Sequence, residues 1–321
     1  MNFSKVKLVI CLFLLAVNCI LALFCVRLVG EKNYVSEEEA ILAQKNLYAN
    51  GIEVNFGKEE RKLYSLPIYS VEGSTDENGI PEIYRHITEA FFGADSESPA
   101  YVKTPDGYSA SVKNKDGKVL GTSVHSNGLD FECFLDEQEN GYAKPAGISF
   151  YEDGVRLEKA KNKEYHTALV LAESIFSKLG MKYIFKGTKE LDGGKTVYFA
   201  GQISDVETAD IYLNIYVVNG KIVSCAGSIT DTAPIRKYSA GITDSIDAVY
   251  ALKDYIRENG NSADKGRIRI NSISMKYRLF EYGDSEYYAV PAWEICYSGS
   301  NGAQIKAIVD AVSGKNIQVS G

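Results

Sequence analysis

An apolar stretch near the amino terminus constrains the rest of the chain more than any other feature of the sequence. Leu8–Val26 spans nineteen residues, and apart from its cysteines Asn18 is its only polar side chain. An α-helix rises about 1.5 Å per residue, so about 20 apolar residues cross a hydrocarbon core of about 30 Å. The stretch therefore predicts one transmembrane helix, with residues 31–321 folding outside the bilayer.

The end of this stretch distinguishes a retained anchor from a cleaved signal peptide. A cleavable signal ends in small residues with an A-x-A-like pattern, whereas this run ends in Leu23–Arg27, where most side chains are bulky. Cys19 and Cys25 raise the alternative of a lipoprotein, but the residues before them are bulky or polar where a lipidation signal has small ones. We therefore expect a single-pass membrane anchor.

Charge around the stretch predicts its orientation. Lys5, Lys7 and the amino terminus precede it, whereas Arg27 and Lys32 follow it together with the acidic residues Glu31 and Glu37–Glu39. Positive flanking charge favours the cytoplasmic side of a membrane. We expect a cytoplasmic amino terminus in the cell membrane and an extracytoplasmic carboxyl-terminal portion.

The net charge limits the partners of that portion. The chain carries −7 overall, and residues 1–30 contain three cationic side chains and no acid, so the remainder is more acidic still. An acidic surface repels phosphate backbones and anionic lipid headgroups. The composition therefore argues against nucleic acid as a partner.

Three cysteines lie outside the apolar stretch, at Cys133, Cys225 and Cys296. An odd number at wide spacing is not a disulfide framework. We interpret them as buried strand thiols that act as small hydrophobic residues. One disulfide with one free thiol is the alternative.

Helix and strand signals alternate in the first half. Ser36 and Glu39 form a capping box, which predicts a helix that Gly51 ends. Pro81 suits the first turn of a second helix. Around these helices we predict strands at Ile52–Phe56 and Lys62–Val71, a meander within Tyr101–Phe134 and a hairpin turn at Asp153-Gly154.

The second half repeats one order of elements, a helix followed by a meander. The first helix covers Tyr165–Leu179, and the second is capped by Thr243 or Asp244. Asn219-Gly220 is a strong hairpin signal between two of the strands. The predicted strands are Tyr183–Lys186, Thr196–Ile203, Ile211–Val218, Ile222–Ile229, Arg267–Phe280, Tyr287–Tyr297 and Ala303–Val309.

These patterns predict an α+β fold in which helices lie on one face of an antiparallel sheet. We expect a cytoplasmic stub and anchor in residues 1–30 and a first α+β domain in residues 31–159. A second α+β domain covers residues 160–321 and contains two helix-and-meander units, residues 160–230 and 243–321, as a tandem pseudo-repeat.

A search of the sequence for catalytic or ligand-binding motifs gives no candidate residues. His86, His125 and His166 each lack a cysteine or second histidine at ligand spacing. Asp192–Thr196 ends like a phosphate loop, but Lys189 stands where that motif needs its first glycine, so we predict a hairpin turn. We expect no catalytic, cofactor-binding or metal-binding residues, no cofactor and no enzymatic activity.

Two features suggest specific roles. An amide within an apolar helix can hydrogen-bond to a neighbouring helix, so Asn18 is a candidate partner contact; the alternative is a tolerated single amide. Pro291, Trp293, Asp310 and Gly314 form a candidate structural motif near the end of the chain. Proline favours a sheet edge or bulge, and we expect the only tryptophan to lie buried under a helix, with a peptide-binding groove as the alternative.

With its basic Ser4–Lys7 segment, one apolar span, and the segments P-A-W-x-I and V-D-A-x-S-G, the chain resembles the YycI (WalI) proteins of Gram-positive bacteria. It is also similar to the PepSY-like units that YycI and its companion YycH contain. Sequence-specific matching is confined to Ser4–Lys7 with the span and to Tyr277–Gly314. Phe3 stands where the family often has tryptophan, and Glu294 where a basic residue is common.

The resemblance implies a non-enzymatic accessory regulator of a cell-wall two-component system. With a YycH-like partner, such a protein contacts the sensor histidine kinase WalK (YycG) and restrains its signalling, largely through neighbouring transmembrane helices. The alternative is an extracytoplasmic module whose PepSY-like units hold a peptide, as a protease inhibitor or a chaperone.

Overall fold

A computed structural model describes most of the chain that follows the apolar stretch. The described residues are 17, 33–72, 80–93, 96–126, 130–137, 141, 158, 162–229, 234–238, 241–259, 267–282, 286–299, 302–315 and 317–320. Asn18, all of Leu8–Val26 except Val17, and the hairpin predicted at Asp153-Gly154 lie outside them. Among the described helices, none is both long and apolar enough to cross a membrane.

The described residues combine helices with a large amount of sheet, as an α+β fold requires. The helices are α1 (Glu37–Ala49), α2 (Glu82–Phe92), α3 (Lys163–Lys178) and α4 (Ser245–Asn259). The strands are β1 (Ile52–Glu53), β2 (Ile68–Glu72), β3 (Val102–Thr104), β4 (Gly107–Lys113), β5 (Val119–Ser126), β6 (Asp130–Leu135), β7 (Lys182–Leu191), β8 (Gly194–Ile203), β9 (Val206–Val218), β10 (Lys221–Ser228), β11 (Pro234–Tyr238), β12 (Ile268–Tyr282), β13 (Glu286–Ser298), β14 (Gln304–Asp310) and β15 (Ile317–Ser320).

The chain divides into two compact units, and neither is continuous in sequence. Unit 1 comprises Met1–Leu66, Gly241–Ser274 and Trp293–Gly321, and unit 2 comprises Pro67–Ala240 and Met275–Ala292. Strands β12 and β13 each contribute residues to both units. The boundary predicted between residues 159 and 160 lies outside the described residues.

Unit 2 is built on a sheet in which neighbouring strands are mostly antiparallel. Its strand order is β11-β2-β13-β12-β9-β10-β6-β5-β4-β3, with β8 and β7 added at β9. Strand β12 joins β9 in parallel, at Tyr277 and Thr208. Helix α3 packs on β8 and β9 and also contacts α2, so the two helices of this unit cover one face of the sheet.

The core of unit 2 lies between these helices and the sheet. Helix α3 buries Ala168, Ala172 and Phe176, none of which is exposed. Leu213 and Ile215 of β9 are equally buried beneath it. Full burial of a leucine, isoleucine or phenylalanine side chain contributes about 1.5–3 kcal/mol. The interface between α3 and the sheet therefore stabilises this unit.

Unit 1 contains the remaining parts of β12 and β13, up to Ser274 and from Trp293. Strand β1 pairs in parallel with β12 through Ile52 and Ile268, and β14 pairs with β13 and β15. Helix α4 packs on β14 and touches α1. Leu47 of α1 and Val249 of α4 are fully buried, so each helix contributes to the interior of this unit.

Local signals in the sequence form the structures that they predicted. The Ser36 hydroxyl accepts a hydrogen bond from the Glu39 amide at the start of α1, at 3.2 Å. Asp244 caps α4 by accepting from the Asp247 amide at 2.9 Å. Asn219 and Gly220 both have positive φ angles, of 51° and 78°. That is the backbone of a two-residue type I′ turn, which joins β9 to β10.

Two predicted strands are shorter than expected, and two strands were not predicted. The strand predicted at Ile52–Phe56 covers only Ile52–Glu53, and the one predicted at Lys62–Val71 begins at Ile68. Residues 61–63 instead bond to residues 33–35, through Val35 N–H to Arg61 O and Leu63 N–H to Asn33 O, both at 2.8 Å. The backbone groups of this segment are thus satisfied outside the sheet. The strands that were not predicted are β11 and β15.

Candidate functional site

A groove of about 540 Å³ in unit 2 is the candidate site, and we call it the Tyr101 groove. It lies between the start of α2 and the segment that leads into strands β3 and β4. Its lining residues are Ile80, Pro81, Glu82, Arg85, Ser98, Pro99, Ala100, Tyr101, Lys103 and Tyr108. Binding sites for small ligands are typically clefts of about 300–1,000 Å³, and this groove falls within that range.

Aromatic rings support the lining of the groove from behind. Tyr84 of α2 stacks on His125 of β5 with ring centroids 4.1 Å apart, and it packs against Tyr108 at 5.8 Å. Tyr101 meets the same His125 edge-on at 5.6 Å. Such contacts fix ring orientations. The two tyrosines of the lining are therefore held in place by buried neighbours.

Hydrogen bonds lock the same rings, in a set that we call the His125 network: Thr88, Tyr101, Ser123 and His125. The Thr88 hydroxyl bonds to the Tyr101 hydroxyl at 2.7 Å and to the Ser123 hydroxyl at 2.8 Å. The Ser123 hydroxyl also shares a hydrogen bond with His125 Nε2 at 2.8 Å. The network joins α2, β5 and the segment before β3, which are the elements around the groove.

The groups of this network are held in their neutral forms. His125 is 1 % exposed, and burial lowers its pKa to about 3. Its Nδ1 atom is buried and has no hydrogen-bond partner among the described residues. Burial raises the pKa of Tyr101 well above its ordinary value, although the hydrogen bond with Thr88 opposes the shift. At neutral pH the network therefore carries no charge.

Two cationic side chains stand at the groove. Arg85 projects from the first half of α2 and Lys103 lies on β3, and both are exposed. No hydrogen bond or ion pair of either side chain occurs in the described part of the chain. Glu82 also lines the groove, but it has an interaction of its own. The arrangement can thus hold a ligand through positive charge and aromatic surface.

A second polar cluster in unit 2 is charged, and we call it the Glu207 cluster: Lys186, Glu207 and Lys276. The Glu207 carboxylate contacts Lys276 Nζ at 2.6 Å, and its two oxygens accept from Lys186 Nζ at 2.7 and 2.8 Å. Burial alone would raise the pKa of Glu207, but the two lysines together outweigh it and hold that pKa below its ordinary value. The cluster ties β7, β9 and β12 together.

The four residues of the candidate structural motif lie in two places: Pro291 and Trp293 are in β13, and Asp310 and Gly314 belong to the turn after β14. Trp293 is 1 % exposed and donates from Nε1 to the Thr243 carbonyl at 2.9 Å, beside the start of α4. Tyr64 meets its ring edge-on at 5.6 Å. The predicted burial of the tryptophan is confirmed, and the surrounding contacts fill its site with side chains of unit 1. Pro291 is buried in β13, just after the residues Glu286–Ala289 that pair with β2.

Asp310 and Gly314 shape the turn that follows β14. Asp310 accepts hydrogen bonds from the amides of Val312 and Ser313, at 2.7 and 3.2 Å, and from the Ser313 hydroxyl at 2.9 Å. Gly314 has a φ of 65° and donates to the Asp310 carbonyl at 2.8 Å. A residue with a side chain is strained at such a φ, so the turn favours glycine at position 314. The V-D-A-x-S-G segment builds a turn.

The histidines do not cluster in the described residues. His166 is exposed on α3, His86 is half-buried on α2, and His125 lies in the network above. No group of three or more histidine, cysteine or acidic side chains suited to a metal ion occurs among the described residues. Asp192–Thr196 includes the tight turn between β7 and β8, as predicted, with positive φ at Asp192 and Gly193.

All three cysteines outside the apolar stretch are free thiols on strands. Cys133 and Cys225 are fully buried and face each other across β6 and β10, whereas Cys296 is half-buried. Cys133 Sγ lies 3.4 Å from the Ser123 hydroxyl, which places it beside the His125 network. The interpretation as buried strand thiols is confirmed for Cys133 and Cys225.

Sequence reasoning missed the Tyr101 groove. Arg85 and Lys103 are ordinary surface cations in the sequence, and neither belongs to a motif. The available signal is the pair of prolines, Pro81 and Pro99, on either side of α2. It indicates rigid chain on both sides of the helix, but it does not say which residues meet there.

Comparisons with known proteins give no family for this chain. No protein-family model matches it, and neither does any curated protein. Among solved structures it is similar to the crystal structure of an uncharacterized protein from Eubacterium rectale, at 11 % sequence identity and a TM-score of 0.48. That match covers 82 % of this chain and 88 % of the other. A likeness of this strength supports no argument about function.

Proposed function

We propose that this chain is a membrane-anchored, non-enzymatic accessory regulator of a cell-wall sensor histidine kinase of the WalK (YycG) type, working with a YycH-like partner. The observation that carries the proposal is the apolar stretch Leu8–Val26 with Asn18 near its middle, followed by a folded α+β portion. The finer description of that portion, as tandem PepSY-like and YycI-like units held outside the membrane, is part of the same proposal.

The physical basis is packing between transmembrane helices. In a bilayer, an amide at a helix interface hydrogen-bonds to a neighbouring helix and adds about 0.6–2 kcal/mol. Asn18 is the side chain of the stretch that can do this. The anchor then contacts the kinase and the YycH-like protein directly, and the extracytoplasmic portion positions it.

Co-purification from membranes tests this function. We expect the kinase and the YycH-like protein to be recovered with the full-length chain and to be lost when Leu8–Val26 is replaced by an unrelated apolar helix. Asn18→Leu should reduce the recovered kinase several-fold, whereas the matched control Val17→Leu should not. Unchanged kinase output after deletion of the protein would contradict the regulatory role.

A second candidate function, extracytoplasmic peptide binding or protease inhibition, is favoured by the Tyr101 groove. Its volume, its tyrosine lining and the hydrogen bonds behind that lining suit a short ligand. Titration calorimetry of the full-length chain in detergent micelles with a mixed peptide pool tests it. Heat that saturates supports this function, and the absence of any binding or protease inhibition contradicts it.

A further inference from the structure

We infer that the Tyr101 groove binds a short, extended peptide segment that carries carboxylates. This inference rests on the second proposed function, peptide binding, and adds the chemical class of the ligand. Three independent features of the groove support it: its positive charge, its rigid aromatic lining, and its size.

The charge at the groove serves no structural purpose within the described residues. Arg85 and Lys103 line the groove, both are exposed, and neither forms an ion pair or a hydrogen bond there. The chain as a whole carries a net charge of −7. Two cations without a partner among the described residues outnumber the one carboxylate of the lining, Glu82, and favour an anionic ligand; arginine in particular matches the two oxygens of a carboxylate.

The lining suits an extended peptide backbone with a proline or an aromatic side chain. Pro81 and Pro99 have no backbone N–H, and Tyr101 and Tyr108 present ring surface. Aromatic-lined grooves recognise polyproline-type segments because such segments are already extended and lose little entropy on binding. A lining of this kind does not match a compact inorganic anion, which needs converging donors rather than ring faces.

The groove is also held in shape before any ligand arrives. Tyr101 is fixed by its hydrogen bond to Thr88 at 2.7 Å and by its edge contact with His125 at 5.6 Å. Tyr84 supports Tyr108 and donates from its hydroxyl to the Ser126 carbonyl at 3.1 Å. A site that needs no ordering on binding retains more of its contact energy as affinity. With about 540 Å³ of space it holds a segment of a few residues.

Fluorescence anisotropy tests the inference with the full-length chain in neutral detergent micelles. The probe is a labelled hexapeptide that alternates glutamate and proline, and the reference is the same peptide with glutamine at each glutamate position. We expect saturable binding of the acidic peptide and at least tenfold weaker binding of the neutral one. Binding of the acidic peptide should also weaken as salt is added, because exposed charges are screened.

Paired variants locate the binding site. In R85Q/K103Q both side chains are exposed and unpaired, so the fold should be kept, and the acidic peptide should bind at least tenfold more weakly. The matched control K45Q/K221Q removes two exposed cations that do not line the groove, and its affinity should stay within twofold of the unaltered chain. Equal affinity of R85Q/K103Q and this control would overturn the inference.

Two further outcomes are informative. If both peptides bind equally well, the carboxylate inference fails while peptide binding itself stands, and if neither binds, both fail together. Inorganic phosphate at the concentration of unlabelled peptide should displace little of the probe. Displacement as complete as that by the peptide would show that the groove holds any anion, and this would also overturn the inference.

Discussion

The His125 network and the Glu207 cluster place polar groups in the interior of unit 2 in opposite ways. The network consists of four neutral side chains, and burial keeps its histidine uncharged. The cluster consists of three charged side chains, and its carboxylate stays ionised because two lysines contact it. Both solutions avoid a buried charge without a partner, which costs several kcal/mol.

The difference matches what each cluster supports. The His125 network lies behind the Tyr101 groove, where fixed tyrosines are needed and a buried positive charge would repel the two cations of the lining. The Glu207 cluster joins three strands, β7, β9 and β12. Strong charge pairing suits this contact because its role is to stabilise the sheet rather than to bind a ligand. The two clusters should therefore respond differently to substitution and to pH.

Breaking the Glu207 cluster should have the largest effect. Glu207→Gln removes the carboxylate that contacts both Lys186 and Lys276, the second of which is 7 % exposed, and we expect a loss of about 3 kcal/mol in the free energy of unfolding. Urea unfolding followed by circular dichroism measures it. The double variant Glu207→Leu with Lys276→Met should lose less than the single variant, because the more deeply buried of the two lysines no longer carries a charge there and Lys186 is 26 % exposed.

The control is an ion pair of the same length at the surface. Lys182 Nζ and Asp205 Oδ1 are also 2.6 Å apart, but their side chains are 71 % and 75 % exposed. Asp205→Asn should change the free energy of unfolding by less than about 0.5 kcal/mol. A cost for Asp205→Asn as large as that for Glu207→Gln would show that burial is not what distinguishes the cluster.

Lowering the pH should have the second-largest effect on stability, through His125. The unfolded imidazole binds a proton below about pH 6.5, but the buried one does so only near pH 3, so the unfolded state binds more protons between these values and stability falls as pH falls. From pH 7 to pH 4.5 the loss from this residue should be about 2.5 kcal/mol. Unfolding free energies across that range measure it.

A variant without the imidazole isolates this contribution. His125→Gln should remove most of the dependence on pH between 7 and 4.5, and His166→Gln, at an exposed histidine, is the matched control substitution. The contribution of Glu207 is lost only as pH falls below 4.5, the ordinary pKa of a glutamate, so the change between pH 7 and 4.5 does not come from the Glu207 cluster. An unchanged slope in His125→Gln would contradict a neutral buried His125.

Removing one hydroxyl from the His125 network should have a smaller effect. Thr88→Val keeps the shape of the side chain but leaves the Tyr101 and Ser123 hydroxyls without their shared partner, and we expect a loss of about 1–2 kcal/mol in the free energy of unfolding. Thermal unfolding measures it. The control Thr122→Val, on β5 with no such hydrogen bond, should be close to neutral, and an equal cost for both would argue against the network.

The thiols beside the His125 network should show the smallest effect, a difference in reactivity without a change in stability. Burial raises the pKa of Cys225, and the thiolate is the reactive form. In the native protein, iodoacetamide should modify half-buried Cys296 first and Cys133 and Cys225 only after denaturant is added. Peptide mass spectrometry gives the order, and rapid modification of Cys133 would indicate that the network opens.

Local structure was predictable because it is set by neighbouring residues. The Ser36 and Asp244 caps and the Asn219-Gly220 turn depend on side chains within three or four positions, so the sequence shows both partners. The parallel pairings of Ile52 with Ile268 and of Thr208 with Tyr277 were not predictable. In each case the choice of partner depends on burial across the fold rather than on a local pattern.

The Tyr101 groove was not predictable for the same reason. Its cations are separated by eighteen positions and belong to different elements, a helix and a strand. Their convergence depends on how α2 docks on the sheet, which in turn depends on the buried contacts of Thr88, Ser123 and Tyr84. None of these three residues differs from an ordinary interior residue in the sequence alone.

The interleaving of the two units has a consequence for synthesis on the ribosome. Most strands of unit 2 come from the continuous segment Pro67–Ala240, but the unit also contains Met275–Ala292. Its sheet is therefore incomplete until residues 275–292 have emerged from the ribosome. Unit 1 likewise waits for segments beyond residue 240. During translation the edges of β2 and β9 that pair with β13 and β12 therefore stay unpaired, and unpaired strand edges promote the aggregation of nascent chains. We expect newly made chains to depend on a holding chaperone for this interval.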